Sequence, residues 1–341
     1  MKKACKILCF LICGSLHFGT FAQDVMFDFV IAFGSCNDEN RENVLWTPIL
    51  KQQPNLWIWG GDNIYSTTDN LKKKRMDYLQ QSENGHYVKV RSAMSIMGTW
   101  DDRDYGKKDG GGDYGMKQDS QQLFLDFLGL APTHPLRQRE GVYTSKVFET
   151  SGGSVKIIIL DTRYFRTDLN KSDDEDKRYE PNTYGEGSIL GEAQWQWLQT
   201  VLSNSEADFN VIVSSIQVLS GEHGNETWAN FPHEQERLFN LIRTSKAKRI
   251  FILSGDRHFS EFSKKQLEGM AYPLIDFTSS GLTHTLRNFK GEPNRYRIGE
   301  LISEVSFGLL KFDFESKTVM MEMRGKHNAL LQDYPCEFPQ N

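Results

Sequence analysis

The chain has 341 residues, with 40 Lys and Arg against 45 Asp and Glu, a net charge of −5 and a sequence pI near 6.0. That mildly acidic balance argues against a protein that binds nucleic acid by neutralising phosphates, and a mean hydropathy of −0.53 argues against a polytopic membrane protein. At roughly 150 residues per domain the length suggests about two domains, although single α/β domains of about 250 residues or more are common.

The first segment reads as an address rather than as part of a fold. Lys2, Lys3 and Lys6 precede an apolar run from Ile7 to Phe18, and Thr20-Phe21-Ala22 places small residues at −3 and −1 before Gln23. This is the pattern of a secretory signal peptide over residues 1–22, and the run is shorter than the ~20 residues a bilayer span needs. The expectation is an exported protein, periplasmic or secreted, with no membrane span after cleavage. Removing three of the 40 basic residues leaves 37 against 45 acidic ones, a net of −8. Cys5, Cys9 and Cys13 leave too, so Cys36 and Cys336 remain. In an oxidising compartment these two are expected to form a disulfide; the alternative is a metal thiolate at Cys36.

Beyond Gln23, apolar runs bounded by turn residues predict strands at Phe27–Phe33, Leu56–Trp59, Ile96–Trp100, Val142–Phe148, Val155–Leu160, Val211–Ile216 and Ile250–Leu253. Further strands are predicted at Leu274–Phe277, Leu309–Phe314 and Val319–Met323. Helical spacing predicts helices at Arg41–Gln52, one long helix within Asp69–Ser95, then Asp119–Leu128, Glu192–Ser203 and His233–Thr244. Early strands alternating with helices imply parallel βαβ units, and the closing strands imply antiparallel pairing: an α/β protein with a mixed sheet or two packed sheets. The mixed-charge run Lys171–Glu180 reads first as a solvated loop and second as a lid. No Pro/Gly/Ser linker divides residues 23–341, so one domain is expected.

Reactive side chains cluster just after the C-terminal ends of five predicted strands. They are Gly34-Ser35-Cys36, Gly60 to Tyr65, Thr99 to Tyr105, Asp161-Thr162-Arg163 and Ser254 to His258. In open α/β sheets ligands bind at that edge. Singly, each segment has a dull explanation as a turn, an ion pair or a structural histidine. Together they offer thiolate, carboxylate, phenolate and imidazole, a set that suits a dinuclear metal centre. A thiolate beside a phenol of pKa ~10 points to ferric iron at Cys36 and Tyr65. Oxygen donors such as Asp62, Asp102 and Asp256 suit a harder ion such as calcium, and zinc is possible at either place.

At these residues the chain resembles the PhoD-like alkaline phosphatases, the alkaline phosphatase D and phosphodiesterase branch of the metallophosphoesterases. The matches are Gly-Ser-Cys at 34–36, Gly-Asp-x-x-Tyr at 61–65, Trp-Asp-Asp-x-Asp at 100–104 and Asp-x-Arg at 161–163. They continue with Trp228, Phe231-Pro232, Glu236-Arg237 and Ser-Gly-Asp-x-His at 254–258. The resemblance implies a four-layer αββα sandwich with mixed β-sheets. It also implies an iron–calcium phosphoric ester hydrolase acting on phosphomonoesters or phosphodiesters by metal-activated hydroxide attack on phosphorus. By motif position Cys36, Asp62 and Tyr65 would be iron-side ligands with Asp62 the bridge, and Asp102, Asp256 and His258 would complete the pair. Arg163 would face the phosphate, its other role being an ion pair with a neighbouring Asp. Many relatives carry an N-terminal β-sandwich domain, which is expected to be absent here because Gly34 lies only eleven residues beyond Gln23.

Two departures stand out. Arg103 occupies the place of the family His that could protonate a leaving oxygen, and Lys107 and Lys108 stand near a family Asn. Arginine cannot serve as that acid, because its pKa is above 12. Arg103 then becomes an electrostatic clamp or a filler of a vacated metal position, and the rival to an enzyme is an impaired phosphoesterase fold that binds a phosphorylated ligand or partner. The expected partner of an enzyme is a small phosphate ester. A serine hydrolase is disfavoured, because no Gly-x-Ser-x-Gly elbow occurs. Gln217, His223, His233 and His284 are lesser candidates for the pocket, and the sequon Asn225-Glu226-Thr227 reads as chance.

Overall fold

The computed structural model describes residues 27–286, 289 and 291–339, so the expected signal peptide lies outside the described residues. The chain begins with β1 (Phe29–Gly34), α1 (Trp46–Lys51), β2 (Leu56–Gly60), α2 (Leu71–Glu83), α3 (Gly85–Ala93) and β3 (Ser95–Thr99). It continues through α4 (Asp102–Tyr105), α5 (Lys117–Phe127), β4 (Thr144–Glu149), β5 (Ser154–Ile159) and a short hairpin of β6 (Asn170–Lys171) and β7 (Tyr179–Glu180). Next come α6 (Gly191–Ser203), β8 (Phe209–Val213), α7 (Pro232–Thr244), β9 (Ile250–Ser254), β10 (Ser260–Lys265) and β11 (Leu274–Ser279). The last strands are β12 (Arg297–Ile302), β13 (Ser306–Asp313), β14 (Thr318–Gly325) and β15 (Leu330–Glu337).

Two mixed sheets result, in strand orders β15-β14-β13-β1-β2-β3 and β12-β10-β11-β9-β8-β5-β4. Alternate side chains of a strand face opposite ways, and here both faces are apolar. Ile31, Phe33 and Ile58 of one sheet meet Ile157, Val211 and Leu253 of the other in the gap between them. Their sequence neighbours Ala32, Trp57 and Trp59 turn outward to pack with Trp46, Tyr87 and Phe124 of α1, α3 and α5. On the other side Ile158, Ile212 and Ile252 turn outward to Trp195, Leu198 and Leu238 of α6 and α7. Helices therefore cover the outer face of each sheet, giving the αββα sandwich expected.

Several elements differ from expectation for local reasons. The single long helix within Asp69–Ser95 is two, because the Asn84 side chain accepts from the N–H groups of His86 and Tyr87 and so caps a new helix. β6, β7, β10, β12 and β15 lie outside the predicted strands, the first two at the ends of the run expected to be a loop. β10 (SEFSKK) is polar but buried, and β12 and β15 are edge strands whose exposed faces leave little apolar pattern.

The expected Cys36–Cys336 disulfide is overturned: both thiols are free and buried. Cys336 pairs with Val319, Val319 with Phe312 and Phe312 with Phe29, so Cys336 lies level with the start of β1. Cys36 lies seven residues further along, roughly 23 Å at ~3.3 Å per residue, far beyond the ~7 Å Cα limit for a bridge.

The parallel strands β1, β2 and β3 end together, as do β5, β8, β9 and β11. A parallel bridge between Ser35 and Ser280 joins the ends of β1 and β11. The C-terminal edges of both sheets therefore open on one common region.

Candidate metal centre

The loops at that edge are laced together by backbone. The Cys36 N–H donates to Gly61 O at 3.3 Å and the Asn37 N–H to Asp62 O at 2.8 Å. Gly61 has φ +102°, and a Cβ there would lie 2.6 Å from Asp101 Cβ, so only glycine lets the loops after β2 and β3 approach this closely. Four candidate ligands hold left-handed backbone: Cys36 at φ 59°, Asp62 at 52°, Asp256 at 69° and His258 at 58°. Non-glycine residues adopt this region at an energetic cost, and such residues cluster where a site over-determines them.

Cys36, Asp62 and His258 each bring a donor atom within 4.8 Å of the others, and Asp62, Asp101 and Asp102 do the same. Asp62 is common to both groups. Cys36 Sγ lies 3.7 Å from Asp62 Oδ2, and Ser280 Oγ donates to it at 3.1 Å. Tyr65 Oη is 3.1 Å from His258 Nε2, while the Tyr65 N–H is fixed by Glu39 at 2.7 Å. Asp256 lines the same cavity, of about 310 Å³, as Asp62, Asp102, Arg103 and His258. The sequence-predicted ligands are thus brought together, with Asp101 added.

The electrostatics of the metal-free chain are strained in one direction. Burial pushes the Cys36 thiol up to about 12. Burial, then Cys36 and Asp102, hold the Asp62 carboxyl well above the usual carboxylate range. The Tyr65 phenol is raised well above its ordinary value by burial and Cys36, and burial lowers His258. Asp101 Oδ2 is buried without a hydrogen-bond partner. A bound cation inverts this logic for every anionic donor, so soft, hard and phenolic donors gathered on one floor fit a metal centre.

This strain predicts a pH dependence. Burial raises Asp256 and Asp276 to about 6 and Asp104 to about 7. Their folded-state pKa values exceed those of the unfolded chain, so the folded state binds the extra protons. The resulting stability is complete below pH ~4 and is lost as pH rises through 6 to 7. For each such carboxyl the loss is on the order of 3 kcal/mol. Chelator-treated protein is therefore expected to show a higher urea midpoint at pH 5 than at pH 7.5, and a midpoint that rises over that interval contradicts it.

Residues 31–285 match the family description PhoD-like phosphatase. The chain belongs to the PhoD-like phosphatase family. Alkaline phosphatase D of Bacillus subtilis (strain 168) is 28% identical over 119 residues, which span 33% of this chain and only 20% of that protein. The solved structure of PhoD superposes with a TM-score of 0.71 at 18% identity, over 92% of this chain and 69% of that one. Purple acid phosphatase PPD1 from yellow lupin (Lupinus luteus) seeds gives 0.60 at 10% identity, over 91% of this chain and 53% of that one. A dimetal phosphatase from Danio rerio gives 0.50 at 12%, over 92% and 100%. At these identities the structural likenesses speak to fold.

In this PhoD-like chain one expected role is corrected. Arg163 does not face the cavity: its side chain is fully buried, pairing with Asp101 Oδ1 at 2.6 Å and with Glu226 at 2.7 Å. The ion-pair role is the one the structure displays, and Arg163 fixes Asp101 beneath the cluster. Truncating one partner of a buried pair strands the other charges. Arg163→Met should therefore lower unfolding free energy by about 3–5 kcal/mol in urea titration; a loss below about 1 kcal/mol, the worth of a surface pair, contradicts the assignment.

The structure also places the PhoD-like motif residue Asp161 and the lesser pocket candidates. Asp161 accepts from the Trp100 indole at 2.9 Å and from the Val142 and Arg163 N–H groups. Gln217 is buried and donates to Glu261 and Thr278. Nδ1 of buried His223 accepts from the Asn225 N–H, and His233 Nε2 meets Gly187 O. His284 packs its ring 5.1 Å from Tyr65 and 4.6 Å from His258. Asn225 lines the cavity, as do Arg178 and Arg257. The sequence reading missed these two arginines: Arg178 was one charge in the run 171–180, and Arg257 the variable position of a motif.

Proposed function

We propose that this chain is a metal-dependent phosphoric ester hydrolase, exported by its N-terminal segment, that acts on small phosphomonoesters or phosphodiesters. The observation that carries the reading is the cluster at the shared sheet edge: buried Cys36, Asp62, Asp101 and Asp102 with Tyr65, Asp256 and His258. Membership of the PhoD-like family supports it. Cys36, Tyr65, Asp62 and His258 would hold one ion, with a thiolate and phenolate suited to ferric iron. Asp62, Asp101, Asp102 and Asp256 would hold a harder one such as calcium, zinc being an alternative at either place.

A bound metal pair supplies Lewis-acid polarisation of phosphoryl oxygens and activation of water. The chain's own residues do the rest. Ser280 and Glu39 orient Cys36 and Tyr65 through the hydrogen bonds described. Arg103 lines the cavity with its side chain 30% exposed, Nε 3.4 Å from Asp102, and its guanidinium over the Tyr65 ring. Burial works against the Arg103 charge, but Asp102 and Asp62 outweigh it and hold the group above the ordinary arginine range. It is placed to offer planar, permanently charged donors to a phosphoryl oxygen.

A second reading, a phosphate-binding protein without turnover, is favoured by Arg103 and Lys108, which stand near where the family carries His and Asn. Elemental analysis with a nitrophenyl phosphate assay separates the two. The expected result is bound metal, a visible thiolate- or phenolate-to-iron absorption band, and hydrolysis that chelation removes and metal restores. Bound metal without hydrolysis selects the second reading, and protein that takes up no metal contradicts the centre itself.

A further inference from the structure

Once the metal donors are assigned to the floor of the cavity, its walls remain unexplained. The whole cavity, about 310 Å³ with its floor, must receive both the scissile phosphoryl group and whatever is attached to it. Outside the donors Asp62, Asp102, Asp256 and His258, the lining carries four basic side chains against the two carboxylates of Asp109 and Glu292. Arg103, Lys108, Arg178 and Arg257 reach it from three different parts of the sequence.

These four are not equivalent. Arg257 is consumed, its Nη2 pairing with Glu292 at 2.7 Å and its Nη1 meeting Asp256 at 3.4 Å. Arg103 belongs to the floor beside Asp62 and Asp102. Lys108 and Arg178 stand one step further out. Their neighbour is Asp109, whose N–H donates to Asp102 Oδ2 at 2.8 Å, so they lie beyond the floor rather than in it. Lys107 pairs with Asp113, whereas Lys108 is exposed and has no ion-pair partner among the described residues. Arg178 pairs with Asp109 and keeps its side chain 46% exposed.

The placement of Arg178 is built rather than incidental. The N–H groups of Arg178 and Tyr179 both donate to Gly224 O, at 2.8 and 2.9 Å, and the Tyr179 hydroxyl donates to Asp109 at 2.7 Å. The hairpin is thereby pinned with Arg178 at the cavity lining. One phosphoryl group needs only the floor; further out, Lys108 has no ion-pair partner among the described residues, and Arg178 spends one contact on Asp109 yet stays 46% exposed, so both keep donors free for a second anion.

We propose that Lys108 and Arg178 form a subsite for a second phosphoryl group, so that the preferred substrate is an organic phosphate whose leaving portion carries another phosphate. The inference rests on the phosphoesterase reading above, and its test reads binding rather than turnover. Methylenediphosphonate and methylphosphonate have P–C bonds that hydrolysis cannot cleave. Their affinities for the metal-loaded protein are measured by calorimetry, with metal content checked before and after.

The wild-type protein is expected to favour the diphosphonate, with a preference that weakens as salt rises. The Lys108→Met/Arg178→Met double variant should lose at least about tenfold of that preference, the scale of a lost charge-assisted contact. The single Lys108→Met variant, which leaves the hairpin pinning intact, should lose a part of it. An unchanged affinity ratio in folded, metal-loaded variants overturns the subsite. Failure of the wild-type protein to hydrolyse nitrophenyl phosphate overturns the catalytic reading instead, and the affinity ratio still decides the subsite.

Discussion

Asp62→Asn is expected to strip the protein of metal and of phosphoesterase activity while making the metal-free fold more stable. Asp62 is the residue shared by the two donor groups, so its loss acts on both at once. The expected fall in kcat exceeds the roughly 10²- to 10³-fold that follows from removing a single oxyanion donor. Asparagine tolerates the left-handed backbone at this position and keeps an oxygen for the Arg103 N–H, now 3.0 Å away. The change is therefore one of charge and not of shape. Burial with Cys36 and Asp102 nearby raises the Asp62 carboxyl well above its usual range, so its ionised form destabilises the empty site. Thermal melts at pH 8 after chelation, elemental analysis and a nitrophenyl phosphate assay check all three consequences. Retention of metal and rate sinks the assignment, and a lower melting temperature of the chelated variant sinks the electrostatic account.

Arg103→His should change which esters are cleaved. A guanidinium cannot release a proton near neutral pH, whereas an imidazole can. With Arg103, esters with acidic aryl leaving groups are expected to turn over while alkyl phosphates lag, because nothing protonates the departing alkoxide. General acid catalysis contributes about 10²- to 10⁴-fold, and the alkyl-to-aryl rate ratio of Arg103→His should rise within that range. Because Arg103 also donates its backbone N–H to Asp62, which any residue there retains, metal content should be unaffected. The measurement is kcat for nitrophenyl and alkyl phosphates in both proteins. Equal ratios would show that Arg103 does not stand in for an acid.

Cys36 and Cys336 mark one place where sequence misleads. Composition offered two thiols and a chemical reason to join them, but strand register places them at opposite ends of one sheet, and no local signal encodes register across β1, β13, β14 and β15. Arg163 marks another. A motif arginine at a strand end reads equally as a phosphate ligand or as an ion-pair member, and only the positions of Asp101 and Glu226 separate the two. Arg178 was legible as a charge in a polar run, but its presence at the cavity depends on Gly224 accepting from two hairpin N–H groups.

By itself the sequence determined the α/β class, because apolar runs of strand and helix period are local properties of the chain, while the layered sandwich was implied by the family resemblance. It also determined the identity of most candidate ligands, because donor chemistry resides in residue type and strand ends are visible as apolar-to-polar transitions. The tertiary structure alone decided that these strand ends meet at one edge and that Asp101 lies within reach of Asp62 and Asp102. It also turned Arg163 inward and left Lys108 and Arg178 facing the cavity. Such outcomes depend on long-range register and on the burial of charge, which are set by contacts between segments far apart in the chain and leave no periodic trace within any one of them.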